Sequence, residues 1–291
     1  MSFDIKDMTF IPLEYLQGTA RNFDIRKLIL KPEDYVFFFY SLIFWVTVYL
    51  FIHFCVPVKL NKKKDLYDTK TRFVSILHAS VIFCLALYDF LYNQSNKCGQ
   101  ANTEFQNKLS LFSCAYFVYD LITCIILDCS DKEMVVHHLF CITGYIASIG
   151  YNSTANEIFR ALIVTEVTCP IMHLRMILKN FNLKHTRLHL TLDYAYMIVY
   201  LIARMGFGSH NIIFTVFCRN NLFLVKIAGA FIFLQSLIFS KRMIKILRHK
   251  RAESRERKLK GVRLFWFSLN KQIEDLDYYK QSMKKHASYI P

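Results

Sequence analysis

No CxxC pair and no zinc-finger spacing occurs among the nine cysteines, which excludes a cysteine-bound metal or a dithiol redox centre as the organising chemistry. Cys55, Cys84, Cys114, Cys124, Cys141 and Cys169 instead fall inside apolar stretches, where cysteine acts as a small packing residue. Cys98 and Cys218 fall in two loops on the same side and could bridge in an oxidising compartment, although sequence alone sets no disulfide geometry. A secretory signal of the usual kind is also missing, because residues 1–34 mix charged and apolar residues before any long apolar run begins. Asp4, Asp7 and Glu14 argue against an acid-poor mitochondrial presequence, leaving internal signals as the route to that organelle. No nucleic-acid motif is present, and lipid or ion transport, which charges inside the spans permit, is the weaker possibility because no channel selectivity sequence or clear inverted repeat supports it.

What the chain does have is apolar length. Its 291 residues are 54% hydrophobic and 16% aromatic, yet the net charge is +15 at pH 7. A soluble domain fits that combination poorly, and a multi-span membrane protein with basic loops fits it well. Runs of bilayer length occur at residues 35–56, 73–92, 109–127, 134–151, 157–178, 190–207 and 222–240. The expected fold class is therefore an all-α integral membrane protein with about seven transmembrane helices. This alternation puts the loops around 59–72, 128–133 and 179–189 on one side with the C-terminus. All but the small acidic 128–133 turn are rich in Lys and Arg, as cytosol-facing or matrix-facing loops are. Residues 208–221, beyond Gly206 and Gly208, read as a segment apolar enough to dip into the membrane but too short to cross it.

The domain plan is a polar or interfacial segment at 1–34, a first transmembrane helix at 35–56, a six-helix domain at 65–250 and a basic, aromatic tail at 251–291. Lys241 to Arg263 hold eleven Lys or Arg against Glu253 and Glu256. Anionic headgroups would attract this run, each basic residue near the surface contributing about 1 kcal/mol. Leu264, Phe265, Trp266, Phe267 and Leu269 directly after it suit the membrane interface. Docking onto neighbouring membrane-complex subunits is the competing use of both terminal segments.

Ionisable groups inside a membrane are costly unless paired or facing a wet cavity, so each one in a span needs an account. Several converge in the half of the membrane beside the basic loops. Ser75 and His78 are spaced i,i+3 in the second run, and Tyr116 and Asp120 i,i+4 in the third. His137 and His138 open the fourth; adjacent helical residues point about 100° apart, so one can face the bundle interior and the other a neighbouring helix. Glu166, Pro170 and His173 recur along one face of the fifth, and Pro170 removes the backbone bond to the Glu166 carbonyl. Asp193 lies near the start of the sixth, and Arg204 lies deeper, as counter-ion to a buried acid or as a packing anchor. Arg175 reads as a headgroup contact. His185 and His189 form HxxxH in a loop, but a diiron site needs further histidine boxes that the sequence lacks, so no metal is expected.

These groups allow two uses. A histidine oriented by a carboxylate can act as general base or nucleophile on a lipid hydroxyl, amine or thioester; in that scheme His137, His138 and Asp120 are catalytic. The same groups can equally form a hydrogen-bonded knot that locks the bundle.

The motifs Ser75-Ile76-Leu77-His78-Ala79, Tyr119-Asp120 after Tyr116, His137-His138, Glu166-Val167-Thr168-Cys169-Pro170 followed by Arg175, and the late Arg204 resemble the TLC-domain membrane proteins. That family comprises translocating-chain-associated, ceramide synthase and neuronal-lipofuscinosis proteins, and the similarity covers about residues 65–250. The resemblance implies a six-helix bundle enclosing a lipid-accessible cavity, here preceded by an extra span. Ser75, His78, Tyr116, Glu166, His173, Asp193 and Arg204 would line that cavity. In the ceramide synthase branch a histidine pair and a downstream acidic cluster transfer an acyl group from acyl-CoA to a sphingoid base. Carried over, His137 and His138 are the acyl-transfer pair and Asp120 the supporting acid. No acidic cluster follows the pair here, where the sequence runs Leu139-Phe140-Cys141-Ile142-Thr143-Gly144-Tyr145. The chain is therefore more similar to the less characterised TLC-domain-containing proteins, linked to membrane phospholipid composition.

The expected partners are membrane phospholipid or sphingolipid and no nucleic acid, with acyl-CoA as co-substrate if the protein is an enzyme and no covalently bound cofactor. The expected location is the endoplasmic reticulum or another endomembrane, with the mitochondrial inner membrane as the alternative. The competing function is a non-catalytic accessory subunit of a large membrane complex, such as a respiratory one, that binds structural lipid.

Overall fold

Pro32 in the first turn, with Asp34 accepting a hydrogen bond from the Lys31 amide at 3.2 Å, starts the first helix among the described residues, α1 (Pro32–Cys55). A computed structural model describes residues 30–92, 98–129, 132–277 and 279–280. The expectations for residues 1–29 and 281–291 lie outside the described residues. After α1 come α2 (Lys63–Tyr92), α3 (Glu104–Ile126), α4 (Lys132–Gly150), α5 (Ala155–Glu166), α6 (Cys169–Asn180), α7 (Arg187–Tyr200), a π-helical segment (Leu201–Phe207), α8 (Gly208–Phe217) and α9 (Phe223–Leu259). A short 3-10 turn (Lys271–Asp275) closes the described chain.

The pairs α5–α6 and α7–α8 are each one broken rod, so among the described residues the nine α-helices and the π-helical segment make seven rods. Six of these are long and apolar enough to cross a membrane. The seventh, α4, carries Lys132, Glu133, His137 and His138, which lower its hydropathy, yet its two ends meet the two ends of α3. At one end its turn from α3 holds Asp128, 2.8 Å from Lys64. At the other, Ser148 accepts from Asn102 at 3.0 Å. The protein is an all-α integral membrane bundle.

The neighbour relations close a ring. α2 packs on α3, α3 on α4, α4 on α9, α9 on α8, α8 on α5 and α5 back on α2, with α1 outside the ring against α3 and α2. Phe39, Tyr40, Ile43, Phe51 and Phe54 of α1 are exposed and suit contact with lipid chains, whereas Trp45 is buried and donates its indole N–H to the Phe112 carbonyl at 3.2 Å. Between helices in lipid there is little hydrophobic driving force, so polar clasps and close packing carry association. One such clasp lies opposite the lysine-rich side. The Thr103–Gln106 capping box starts α3, and the Gln106 amide donates to Asp89 at 2.8 Å and to Asn156 at 2.7 Å, joining α2, α3 and α5. Asn102 takes the Ala155 amide at 2.9 Å and so starts α5.

The same side holds the Cys98–Cys218 disulfide, with Cα atoms 6.1 Å apart. A bridge on the face away from the Lys-rich loops agrees with an oxidising compartment there and a reducing one beside the basic loops. The bridge spans 120 residues of sequence. Replacing both cysteines with serine is expected to lower stability by about 2–4 kcal/mol, measured as the loss of midpoint in thermal or detergent unfolding of the purified protein.

Three expectations about the rods are corrected. Residues 208–217 do not form a separate dipping piece. They continue the sixth rod as α8, because the glycine-flanked stretch widens into a π-helical segment instead of stopping the helix. The last rod does not end at residue 240; α9 has 37 residues, about 55 Å, which exceeds the roughly 30 Å apolar thickness of a bilayer. The second rod begins at Lys63, drawing Asp68, Lys70 and Arg72 of the expected loop into the helix. The break at Pro170 is present: α5 ends at Glu166 and Pro170 lies in the first turn of α6.

Candidate functional site

Within the ring of helices lie two adjoining, partly open chambers. One, of about 240 Å³, lies toward the lysine-rich side and carries most of the polar groups. The other, of about 120 Å³, is walled by apolar residues of α4, α5, α8 and α9 such as Phe140, Ile158, Ala161, Ile212, Val225 and Ile232. Phe117, His137, Thr165, Glu166, Arg204 and Ser236 line both, and so form the junction.

Of the residues read from the sequence, Ser75, His78, Tyr116, Asp120, His138 and His173 line the polar chamber, and His137, Glu166 and Arg204 stand at the junction. The helix break delivers Glu166: α5 stops there, and its carboxylate accepts from the Thr165 hydroxyl at 3.3 Å. The π-helical segment delivers Arg204, which donates to the Ser236 hydroxyl at 3.2 Å and lies over the Tyr200 ring.

The two histidines differ in what their nitrogens are free to do. His138 is buried, its Nδ1 2.8 Å from the Met134 carbonyl and its Nε2 2.9 Å from Asp120. A carbonyl can only accept, so Nδ1 carries a proton and Nε2 shares one with the carboxylate. Both nitrogens are committed. His137 Nδ1 is 2.9 Å from Gln235 Oε1. The Gln235 amide nitrogen faces the Glu133 carbonyl at 3.5 Å, which orients the oxygen toward the imidazole. Nδ1 of His137 is thus the protonated nitrogen, and Nε2 keeps its lone pair, with only the Cys141 thiol near it at 3.6 Å.

A second relay backs the polar chamber. His78 lies 3.1 Å from the Ser113 hydroxyl, which is 2.9 Å from the Tyr145 hydroxyl, and the imidazole stacks on Tyr116 at 3.6 Å between centroids. Toward the lysine-rich surface, Arg72 pairs with Asp68 at 2.7 Å and faces His173 Nδ1 at 3.3 Å. Gln235, Ser236, Ser113 and Tyr145 escaped the sequence reading. The signal for the first two was present as a polar pair inside the apolar run of α9.

Asp193 is the correction. It lies one turn outside Tyr196, the first residue of α7 to line the chamber, and is drawn to two cations on other helices, Arg175 at 2.9 Å and Lys250 at 3.2 Å, and to the His189 imidazole one turn away on α7 at 3.2 Å. Arg175, expected at headgroups, is that partner and lies over the Tyr196 ring. His185 and His189 are used the same way, the former 3.9 Å from Glu253. Among the described residues no group of three or more His, Cys, Asp or Glu is arranged to hold a metal ion.

A ring of membrane-spanning helices around a cavity that is polar at one end and apolar at the other defines a lipid-handling membrane protein. The family model described as the TLC domain matches residues 68–243, the stretch from α2 to α9 that supplies every one of these lining residues, and the chain belongs to that family.

Proposed function

We propose that the protein transfers an acyl group from acyl-CoA to a membrane lipid and thereby adjusts lipid composition, with His137 as the group that accepts the proton or attacks. The observation that carries this reading is the Nε2 lone pair of His137, engaged by nothing stronger than the Cys141 thiol at 3.6 Å, at the meeting point of a polar and an apolar chamber. The polar chamber suits the thioester and the acceptor's hydroxyl or amine, and the apolar chamber suits an acyl chain. His137 Nε2 takes the proton of the attacking hydroxyl or amine as its lone pair adds to the thioester carbonyl. The carbon–sulfur bond then breaks, and the proton passes to the departing CoA thiolate. Arg204 supplies positive charge beside the junction where oxyanion charge develops. Asp120 and His138 hold the wall of the chamber.

The basic run 241–263 and the exposed Phe265, Trp266, Phe267 and Leu269 favour contact with anionic headgroups on the same side. The Arg187 amide, at the start of α7, donates to the Phe265 carbonyl at 2.8 Å, and this brings the aromatic loop back to the membrane end of the bundle. The same surface suits a neighbouring subunit, which is what favours the accessory-subunit reading. An endomembrane whose lumen faces the disulfide fits the charge distribution. The test is purified protein in nanodiscs given labelled acyl-CoA and lysophospholipid or sphingoid base. Labelled lipid product is the expected result, and its absence from folded, monodisperse preparations would overturn the enzymatic reading in favour of the accessory one.

A further inference from the structure

The apolar chamber ends, away from the histidines, in two oxygen atoms with nothing to accept. Glu157 lines this chamber and is 1% exposed. One carboxylate oxygen takes the Gly99 amide at 3.0 Å, and the other, Oε2, is buried without a hydrogen-bond partner. Asn211, across the chamber on α8, lines it too, and its Oδ1 is likewise buried and unpartnered. Glu157 is held toward the loop by the bond from the Gly99 amide. Gly99 adopts φ +62°, and a Cβ there would lie 2.5 Å from the Asn220 side chain, so only glycine fits this close approach beside the Cys98–Cys218 bridge, where its N–H meets the carboxylate. Burying acceptors without donors is costly, and for a carboxylate more so. Among the described residues lining this chamber the basic side chains are His137 and Arg204, both at the opposite end.

We infer that this end is a binding site for the ammonium group of an amine-headed amphiphile, whose chain runs through the chamber toward His137. An ammonium offers the N–H donors and the positive charge that Glu157 Oε2 and Asn211 Oδ1 lack, and the walls between accept a hydrocarbon chain. The inference rests on the lipid-chamber part of the proposed function. It also fixes the ligand's role. Glu157 and Glu166 are nine residues apart on α5, about 13 Å along the helix, so an amine held at Glu157 is out of reach of His137. The bound amphiphile is not the acyl acceptor. It occupies the chamber in competition with the acyl chain.

The test is native mass spectrometry of the full chain in phosphatidylglycerol nanodiscs with octadecylamine, lysophosphatidylethanolamine and lysophosphatidylcholine. The choline headgroup carries charge but no N–H. Binding at least tenfold tighter for one or both N–H ligands than for the choline lipid is expected. Octadecylamine alone would point to a long-chain base, and the ethanolamine lipid alone to a phospholipid. Glu157→Gln keeps an oxygen for the Gly99 amide and should abolish the preference. Asn211→Leu should weaken it, and serves where the glutamine variant fails to retain its disulfide. Equal binding of all three ligands, or a preference unchanged in folded variants, overturns the inference. Absence of acyl transfer in the wild type would strike the enzymatic reading while leaving these binding ratios standing.

Discussion

Replacing His137 with alanine is expected to lower acyl transfer by about 10²–10⁴-fold, the usual contribution of a positioned general base, with the protein still folded. The lone pair lost is the one imidazole nitrogen at the junction that no stronger donor or acceptor engages. Gln235→Leu should give an intermediate loss, because the Nδ1 proton no longer has the acceptor that fixes its tautomer. Asp120→Asn acts differently. It leaves His138 between a carbonyl and an amide, so its main effect should be on unfolding and its effect on turnover smaller than that of His137→Ala. Initial rates with labelled acyl-CoA in nanodiscs check the order. Activity retained without His137 but lost without Asp120 would reverse the roles assigned to the two histidines.

Asp193→Leu should be the most destabilising single change. Arg175, His189 and Lys250 all converge on this carboxylate, which is nearly inaccessible, and removing one partner of a buried pair costs about 3–5 kcal/mol. Lys250→Met in the Asp193→Leu background removes one of the stranded cations and should restore part of the loss, as a double-mutant cycle of unfolding midpoints would measure. The surroundings are already rich in positive charge. Burial, with Lys250 and Lys179 beside it, holds the Lys184 ammonium below the usual lysine range. The unfolded chain therefore binds more protons at Lys184, and this residue's contribution favours the folded state increasingly as pH rises toward lysine's ordinary range. A midpoint that is unaffected by Asp193→Leu would contradict the account of this cluster.

The spans were legible because lipid demands length and apolarity, and both are written in the order of residues. The helical spacings of Ser75–His78, Tyr116–Asp120 and Glu166–His173 place each group on one face, and all six line the cavity. What spacing cannot give is the partner across the bundle. Asp193 has the same credentials as Asp120, a lone acid near a span end, and only the positions of Arg175 and Lys250 draw it elsewhere. Gln235 was silent for the converse reason: its importance lies in Nδ1 of a histidine on another helix. The length of α9 was hidden because its last turns are polar. They are held by Glu253, Arg257 and the return of the tail, features without a local signature. Pro170 could be read directly, since a missing N–H acts on its own helix.

The proposed function puts an acyl chain in the apolar chamber with its reactive end at His137. An acyl-CoA carrying a photoactivatable diazirine at the far end of its chain, irradiated with the purified protein and mapped by peptide mass spectrometry, tests this directly. Cross-links to chamber walls on α5 and α9, around Ile158, Ala161 and Val225, are the expected result. Labelling confined to the outward residues of α1, such as Phe39, Tyr40 and Ile43, would contradict it.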